Sequence, residues 1–226
     1  MKLMRTAYRE HLEDFAEDLI IMCDTVSCLM MTASSALLRG SLQDAEDALS
    51  MADNLADLQN RCQKRAMQLL ALEGPVAGDL RQVLSSIYVV EDFTRMAALG
   101  MHVAKSARRR HPENALPDDV VPYFDKMAQL ISDMSAQVRQ LLEDPNAEFA
   151  LKLTRTDDEV DSINEDLLAY ITGDAFDGTN RQAVDMALLS RFYERYADHC
   201  VNVAEQVIFL TSGMLPDEYR NHDDVD

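Results

Sequence analysis

Residues that interrupt helices are scarce in this chain, and those present are clustered. The 226 residues include seven Gly and six Pro, whereas average composition would give roughly 16 and 11. The clusters lie at 40–41, 74–78, 112–117, 144–145, 173–178 and 213. They separate six segments of about 28 to 40 residues, in which apolar residues recur at helical spacing and do not alternate as in a strand. We therefore predict an all-α protein with six long helices.

Cap residues occur at several of the predicted helix ends. Ser41 followed by Asp44, and Thr179 followed by Gln182, have the spacing of helix N-termini, where a capping side chain bonds the N–H group three residues on. Gly213 suits a C-terminal stop, because glycine adopts the left-handed conformation without strain. These residues support the division of the chain into separate helices.

The chain also repeats part of its own sequence. One set of residues recurs at an offset of 104 (157 minus 53), namely Leu38, Leu49, Asp53 and Asp57 with Leu142, Leu153, Asp157 and Asp161. A second set recurs at an offset of 100 (195 minus 95), namely Arg95, Ala97, Val103 and Ala104 with Arg195, Ala197, Val203 and Ala204. The two halves therefore share a pattern, and each half would hold three of the six helices.

This duplication predicts two tandem antiparallel three-helix bundles, because short connections and one apolar face per helix favour that packing. The first repeat would span residues 1–113 and the second 114–216. Residues 217–226 would form an acidic, disordered tail. A single continuous helical array is the alternative architecture.

The acidic excess limits the partners that the chain can bind. Asp and Glu number 40 against 21 Lys and Arg, which gives a net charge of -19, and no basic stripe with interleaved aromatics offsets it. We therefore exclude nucleic acid and disfavour direct contact with anionic lipid. The start has no apolar signal region, and the longest uncharged stretch, 25–38, is too short to span a bilayer. We expect a cytoplasmic protein that reaches membranes only through its partners.

The sulfur-containing residues indicate packing more than chemistry. The four cysteines match no zinc spacing and lie in helical patterns, as apolar fillers in a reducing compartment do; they are Cys23, Cys28, Cys62 and Cys200. The 13 Met residues on long amphipathic helices are compatible with a homodimer, although Met at helical spacing is more typical of a core. Self-association therefore stays open.

Acidic residues follow one face of the last predicted helix. Glu194, Asp198, Asn202 and Glu205 stand at i, i+4, i+8 and i+11, which places four oxygen-bearing side chains on one side. His199 lies beside them and could add a nitrogen ligand.

A second acidic pair stands on the preceding helix. Asp157 and Asp161 are also spaced i, i+4, so Asp157, Asp161, Glu194 and Asp198 would surround one metal ion if the two faces meet. Such carboxylates suit Mg, Mn, Fe or Zn. The same spacing is typical of a solvated face in a chain that is 27% charged, and the spacing alone leaves both interpretations open.

These residues also carry a resemblance to a known family. The run Glu194-Arg195-x-x-Asp198-His199-x-x-Asn202, with Asp157-x-x-x-Asp161 before it, is similar to the repeated signature of the PhoU family. Further landmarks look alike at 4–8, 75–81 and 102–105, and the stretch 107–112 resembles the actinobacterial branch. The resemblance runs from Met4 to about Pro216.

The resemblance implies a signalling adaptor. Such a protein binds the phosphate ABC importer and a membrane sensor histidine kinase, and it keeps the phosphate-starvation response off when phosphate is plentiful. No Glu-x-x-His pair, nucleophile elbow or phosphate-cradling glycine loop occurs in the sequence, so we do not expect an enzyme. A metal-buffering or metal-sensing helical protein unrelated to phosphate is the alternative.

The first half departs from the family signature. The offset of 100 places Thr94 and Ala98 where the second half has Glu194 and Asp198. An acidic pair on the preceding helix, Asp53 and Asp57, would remain, with Glu91 and Asp92 nearby, but the third helix lacks the two aligned ligands. We therefore expect the second half alone to hold a metal.

Three arginines end the third predicted helix, namely Arg108, Arg109 and Arg110. Cations at a helix C-terminus complement the helix dipole. A docking role for this basic run is the alternative.

Overall fold

The computed structural model describes residues 2–75 and 77–223, and within these ranges all regular structure is helical. The helices are α1 Lys2–Arg39, α2 Leu42–Glu73, α3 Gly78–Arg110, α4 Val121–Glu143, α5 Ala147–Thr172, α6 Asn180–Ser212 and α7 Pro216–Asp223. The predicted all-α fold with six long helices is confirmed. The structure adds a seventh, short helix to the six predicted, namely α7 with eight residues.

The helix ends follow the predicted caps. The Ser41 hydroxyl accepts the Asp44 N–H at 3.2 Å. Thr179 and Gln182 form a reciprocal capping box at the start of α6. Gly213 ends α6 in the left-handed conformation with φ 74°, which favours glycine over residues that carry a Cβ.

The two halves pack as three-helix units that share one interior. Helices α1, α2 and α3 contact one another, as do α4, α5 and α6, while α3 also packs on α6 and α1 on α4. The buried apolar residues form one continuous cluster across both halves. A polar contact also joins them, because the Tyr193 hydroxyl of α6 donates to Ser34 Oγ of α1 at 2.9 Å.

The third helices of the two halves confirm the offset of 100. Residues 91–100 of α3 and 191–200 of α6 have the same order of buried, half-buried and exposed positions. The counterparts therefore face equivalent surroundings, and Thr94 and Ala98 do stand where the second half has Glu194 and Asp198.

The second helices correct the other offset. The buried positions of α2 match those of α5 at an offset of 105 and not at 104. Five buried residues of α2 each have a buried counterpart on α5 at that offset, namely Ala45, Ala48, Leu55, Cys62 and Ala66 with Ala150, Leu153, Val160, Leu167 and Ile171. The predicted register is thus wrong by one residue, which turns a side chain by about 100° around the helix. The structural counterparts of Asp157 and Asp161 are Ala52 and Ala56. Asp53 and Asp57 lie exposed on the outer face of α2.

Helix α1 is a core helix of this fold. Over Tyr8–Arg39 it is long and apolar enough to cross a membrane by length and composition alone, and 50% of its apolar window is buried in the protein. The uncharged stretch 25–38 contains six apolar residues exposed by 1% or less, namely Val26, Leu29, Met30, Ala33, Ala36 and Leu37. That stretch is therefore a buried helical segment, as its sequence predicts.

Two local predictions differ from the structure. Cys23, Cys62 and Cys200 are buried free thiols as expected, but Cys28 is exposed. The predicted disordered tail is helical in α7, where the Arg220 guanidinium pairs with Glu205 of α6 at 3.0 Å. Residues 224–226 lie outside the described ranges.

The basic run at the end of α3 is occupied by contacts within the chain. Arg108 lies 3.4 Å from the Glu46 carboxylate of α2. Arg109 and Arg110 both pair with Asp185 of α6. These ion pairs favour a role at the helix terminus over a free docking surface.

Candidate functional site

The predicted carboxylates lie where α5 packs against α6. Burial, followed by the neighbouring carboxylates of Asp161 and Asp198, raises the pKa of Asp157 to about 6. Burial and Asp198 also raise the pKa of Asp161, while the Arg191 guanidinium opposes that shift. The Asp158 carboxylate contributes to both shifts as well, so these carboxylates influence one another across the contact between α5 and α6. We call Asp157, Asp161 and Asp198 the acidic cluster.

Glu194 lies at the edge of this cluster with partners of its own. Its carboxylate accepts a hydrogen bond from Asn164 Nδ2 at 3.2 Å. The Arg191 guanidinium, one helical turn before it, pairs with its other oxygen. The Glu194 side chain is 13% exposed and the Arg191 side chain 51%, so Glu194 itself is shielded while its ion pair with Arg191 is open to water.

Two buried acceptors beside the cluster have no donor. Asp157 Oδ1 and Asn164 Oδ1 are both buried, and no described residue bonds either of them. A buried acceptor without a partner loses its hydration without compensation. Such an oxygen would be satisfied by a cation or by a donor that enters the site.

The residue types in the cluster are suitable ligands for a hard cation, but their arrangement in the structure is not that of a metal site. Carboxylate oxygens are the ligands that such ions prefer, and Asp157, Asp161, Glu194 and Asp198 share one region. Among residues 2–75 and 77–223, however, no three His, Cys, Asp or Glu side chains are placed to hold a metal ion. The predicted metal site at these four residues therefore stays a prediction.

The rest of the predicted acidic stripe on α6 faces elsewhere. His199 Nδ1 lies 2.8 Å from Asp92 Oδ1 of α3, and Asn202 Nδ2 donates to the same oxygen at 3.3 Å. Glu205 pairs with Arg220. The expectation that His199 adds a ligand is therefore wrong, because one residue beyond Asp198 the helix surface has turned from α5 toward α3.

The equivalent place in the first half is an apolar cavity of about 160 Å³. Its walls include the counterparts of Asp157, Asp161, Asn164 and Glu194, which are Ala52, Ala56, Gln59 and Thr94. Met22, Leu55, Ala97 and Met101 complete the lining. The Thr94 hydroxyl bonds its own helix at Val90 O, 2.8 Å away. The first half therefore has no acidic cluster at this position.

Sequence reasoning missed two residues of this site. Asn164 stands seven positions after Asp157, which places both on the same face of α5. Arg191 stands three positions before Glu194, a spacing at which helical side chains meet. Both signals were present in the sequence.

Comparison with known proteins gives consistent matches over most of the chain. The PhoU domain model matches twice, over residues 19–107 and 124–207. The phosphate-specific transport system accessory protein PhoU homolog 2 of Mycobacterium tuberculosis is 41% identical over 213 residues, covering 94% of this chain and all of the relative. Homolog 1 of Mycobacterium leprae is 38% identical over 215 residues, covering 95% of this chain and 97% of the relative.

Two solved structures share the fold. The crystal structure of PhoU from Pseudomonas aeruginosa has a TM-score of 0.81, with 22% identity, and the match covers 92% of this chain and all of the other. The phosphate transport system regulatory protein PhoU from Streptococcus pneumoniae has a TM-score of 0.83 and 22% identity over 92% of this chain and 98% of the other. At this identity the likeness concerns the fold alone.

Proposed function

The chain belongs to the PhoU family, and we propose that it is a non-catalytic adaptor that couples a phosphate ABC importer to a sensor histidine kinase. The observation that carries the proposal is the match of both halves to the PhoU domain, joined by relatives named as accessory proteins of phosphate-specific transport. A role in the regulation of phosphate transport follows from the family. The proposal adds to that role a kinase partner and a location in the cytoplasm.

The direction of the regulation is also proposed. The adaptor keeps the phosphate-starvation response off when phosphate is plentiful, through contact with the kinase and the importer. Deletion of the gene then gives constitutive expression of phosphate-uptake genes at high phosphate. Normal repression in the deletion strain, together with altered metal tolerance, would instead support a metal buffer unrelated to phosphate.

Direct binding provides the biochemical test. The purified chain should bind the cytoplasmic portion of the kinase or the ATP-binding subunit of the importer, and its membrane association should disappear when both partners are absent. Failure to bind either purified partner would remove the main support for the adaptor role.

We further propose that the acidic cluster binds a divalent or iron-type ion, such as Mg, Mn, Fe or Zn. The support is the unpartnered buried oxygen of Asp157 and the raised pKa of Asp157 and Asp161, to which the Asp198 carboxylate contributes. The ion would neutralise their repulsion, with Asp157, Asp161 and Asp198 as holders and Glu194 within reach once it leaves Asn164 and Arg191.

Self-association stays a prediction. Sedimentation of the purified chain over a range of concentrations measures whether a homodimer forms.

A further inference from the structure

The first half carries an exposed apolar surface at one end of α2 and α3. These antiparallel helices meet at the short connection 74–77, and six large apolar side chains near it face solvent. They are Met67, Leu70, Leu80, Leu84, Ile87 and Tyr88, which we call the apolar tip. Met67 is 70% exposed and Tyr88 59%. Several large apolar side chains exposed at one end of a helix pair are typical of an interaction site.

A cavity opens between the two helices of the tip. It has a volume of about 210 Å³ and is lined by residues that include Cys62 and Ala66 of α2, Tyr88 and Glu91 of α3, and Phe15 of α1. The acid in this lining, Glu91, is paired with Arg95 at 3.0 Å. The cavity is mostly apolar and large enough for one bulky side chain, as anchor pockets of protein interfaces are.

The tip also differs in charge from the rest of the chain. The runs 61–72 and 80–90 contain no Asp or Glu, although the chain has 40 of them. Among their basic residues, Arg61 and Arg65 are paired with Asp18. Among the described residues, Lys64 has no carboxylate partner, and the Arg81 guanidinium lies against Gly213 at the end of α6. The acids next to the two runs in the sequence are Glu73, Asp79 and Glu91, so within the runs themselves α2 and α3 carry no negative charge.

We propose that the apolar tip docks an amphipathic segment of the partner protein, with one bulky apolar anchor in the cavity and acidic residues beside it. This inference rests on the proposed adaptor function. An acidic segment is repelled by most of this protein's surface and meets less repulsion along the acid-free runs of the tip, where Lys64 adds a positive charge. A second copy of this chain suits the tip less well, because a symmetric contact would bring the same cations together.

The second half supplies a matched control surface. Val184 and Leu188 of α6 are the counterparts of Leu84 and Tyr88 at the offset of 100, and they are 58% and 53% exposed. They lie around the acid Asp185, and α5 ends at Thr172, the counterpart of Met67 at the offset of 105, so the last six residues of α2 have no helical counterpart beside α6. Comparable exposure next to an acid and without this helix end separates the effect of the tip from that of any exposed apolar residue.

The experiment measures binding of the full chain to two purified probes, the cytoplasmic portion of the kinase and the ATP-binding subunit of the importer. Tyr88→Glu and Met67→Glu should weaken binding of at least one probe by about tenfold or more, as loss of an interface anchor does. Val184→Glu and Leu188→Glu should leave that binding unchanged. Lys64→Glu should weaken it severalfold, and added salt should reduce that difference. All five variants should melt near the wild-type temperature, since the changed side chains are exposed.

Three outcomes would overturn the assignment. If the wild-type chain binds a probe and the tip variants bind it equally well, the docking surface is wrong while the adaptor function stands. If the wild-type chain binds neither probe, the adaptor function fails and this inference fails with it. If the wild-type chain is a dimer that Tyr88→Glu converts to a monomer, the tip is an interface between copies.

Discussion

The two halves of this molecule have the same helical framework but different chemistry at one equivalent position. Residues 91–100 and 191–200 have the same pattern of burial, so packing is preserved between the halves. Four side chains at the junction of the second and third helices differ: Ala52, Ala56, Thr94 and Ala98 stand where the other half has Asp157, Asp161, Glu194 and Asp198. In this duplicated fold, packing keeps the same positions buried in both halves, while the residues that line the cleft have changed completely.

The contact between α3 and α6 shows the same divergence at smaller scale. Asp92 contacts Asn202 at 3.3 Å, and the pair related to it by the offset of 100 is Phe192 with His102. That pair is an aromatic stack with ring centroids 5.1 Å apart. Equivalent positions at one helix crossing thus hold a polar contact on one side and an apolar contact on the other.

The largest expected effect tests whether the halves share one core. Phe93 and Tyr193 are counterparts and both are fully buried. Phe93→Ala should cost about 3–5 kcal/mol of unfolding free energy, because it leaves a large cavity. Denaturant unfolding followed by circular dichroism should show one cooperative transition that shifts as a whole. Two separate transitions, with only the first one shifted, would mean that the halves unfold independently.

A smaller effect is expected at the helix crossing. Asp92→Ala removes the acceptor shared by His199 and Asn202, which should cost about 1–2 kcal/mol. A double-mutant cycle of Asp92→Ala with His199→Ala isolates their coupling. His102→Ala is the matched variant in the aromatic pair and should show no coupling with Asp92→Ala. Coupling near zero between Asp92 and His199 would contradict the polar contact.

The acidic cluster should reduce stability at neutral pH when no metal is bound. The pKa of Asp157 is raised to about 6, above the ordinary value of Asp, so the folded chain binds more protons than the unfolded chain between about pH 4 and pH 6. Stability therefore falls as the pH rises through this window.

Asp157→Asn should remove that loss. At pH 7 with chelator present, the variant should be more stable than the wild type by on the order of 1 kcal/mol, because partial exposure screens the repulsion. The difference should vanish toward pH 4. Asp53→Asn on the exposed face of α2 is the control and should be neutral at both values. A destabilised Asp157→Asn chain at pH 7 would contradict repulsion within the cluster.

Much of the framework could be predicted from the sequence because it depends on local signals. Ser41, Thr179 and Gly213 end or start helices through contacts within a few residues, and the sequence contains both partners of each contact. The offset of 100 could also be found in the sequence, since apolar residues that match between the halves indicate positions that are buried in both.

The register of the second helices could not be fixed in the same way. Asp53 and Asp57 match Asp157 and Asp161 in type, but acidic residues are common in this chain and their identity does not report which way a helix faces. Only the buried positions, such as Ala45 with Ala150, reveal the one-residue shift. A related reason applies to the acidic residues of α6, which contact different neighbours in the structure. Spacing along one helix does not tell which neighbouring helix packs on each of its faces.

The metal-binding difference between the halves is tested most directly by titrating the metal-free full chain with Mn²⁺ and measuring binding by calorimetry. The account predicts saturable binding that Glu194→Ala with Asp198→Ala abolishes and that Asp53→Ala with Asp57→Ala leaves intact. Bound metal should also stabilise the folded chain by about 2.7 kcal/mol at a hundredfold excess over the dissociation constant. Equal loss of binding in both double variants, or a wild-type melting temperature that Mn²⁺ does not change, would contradict it.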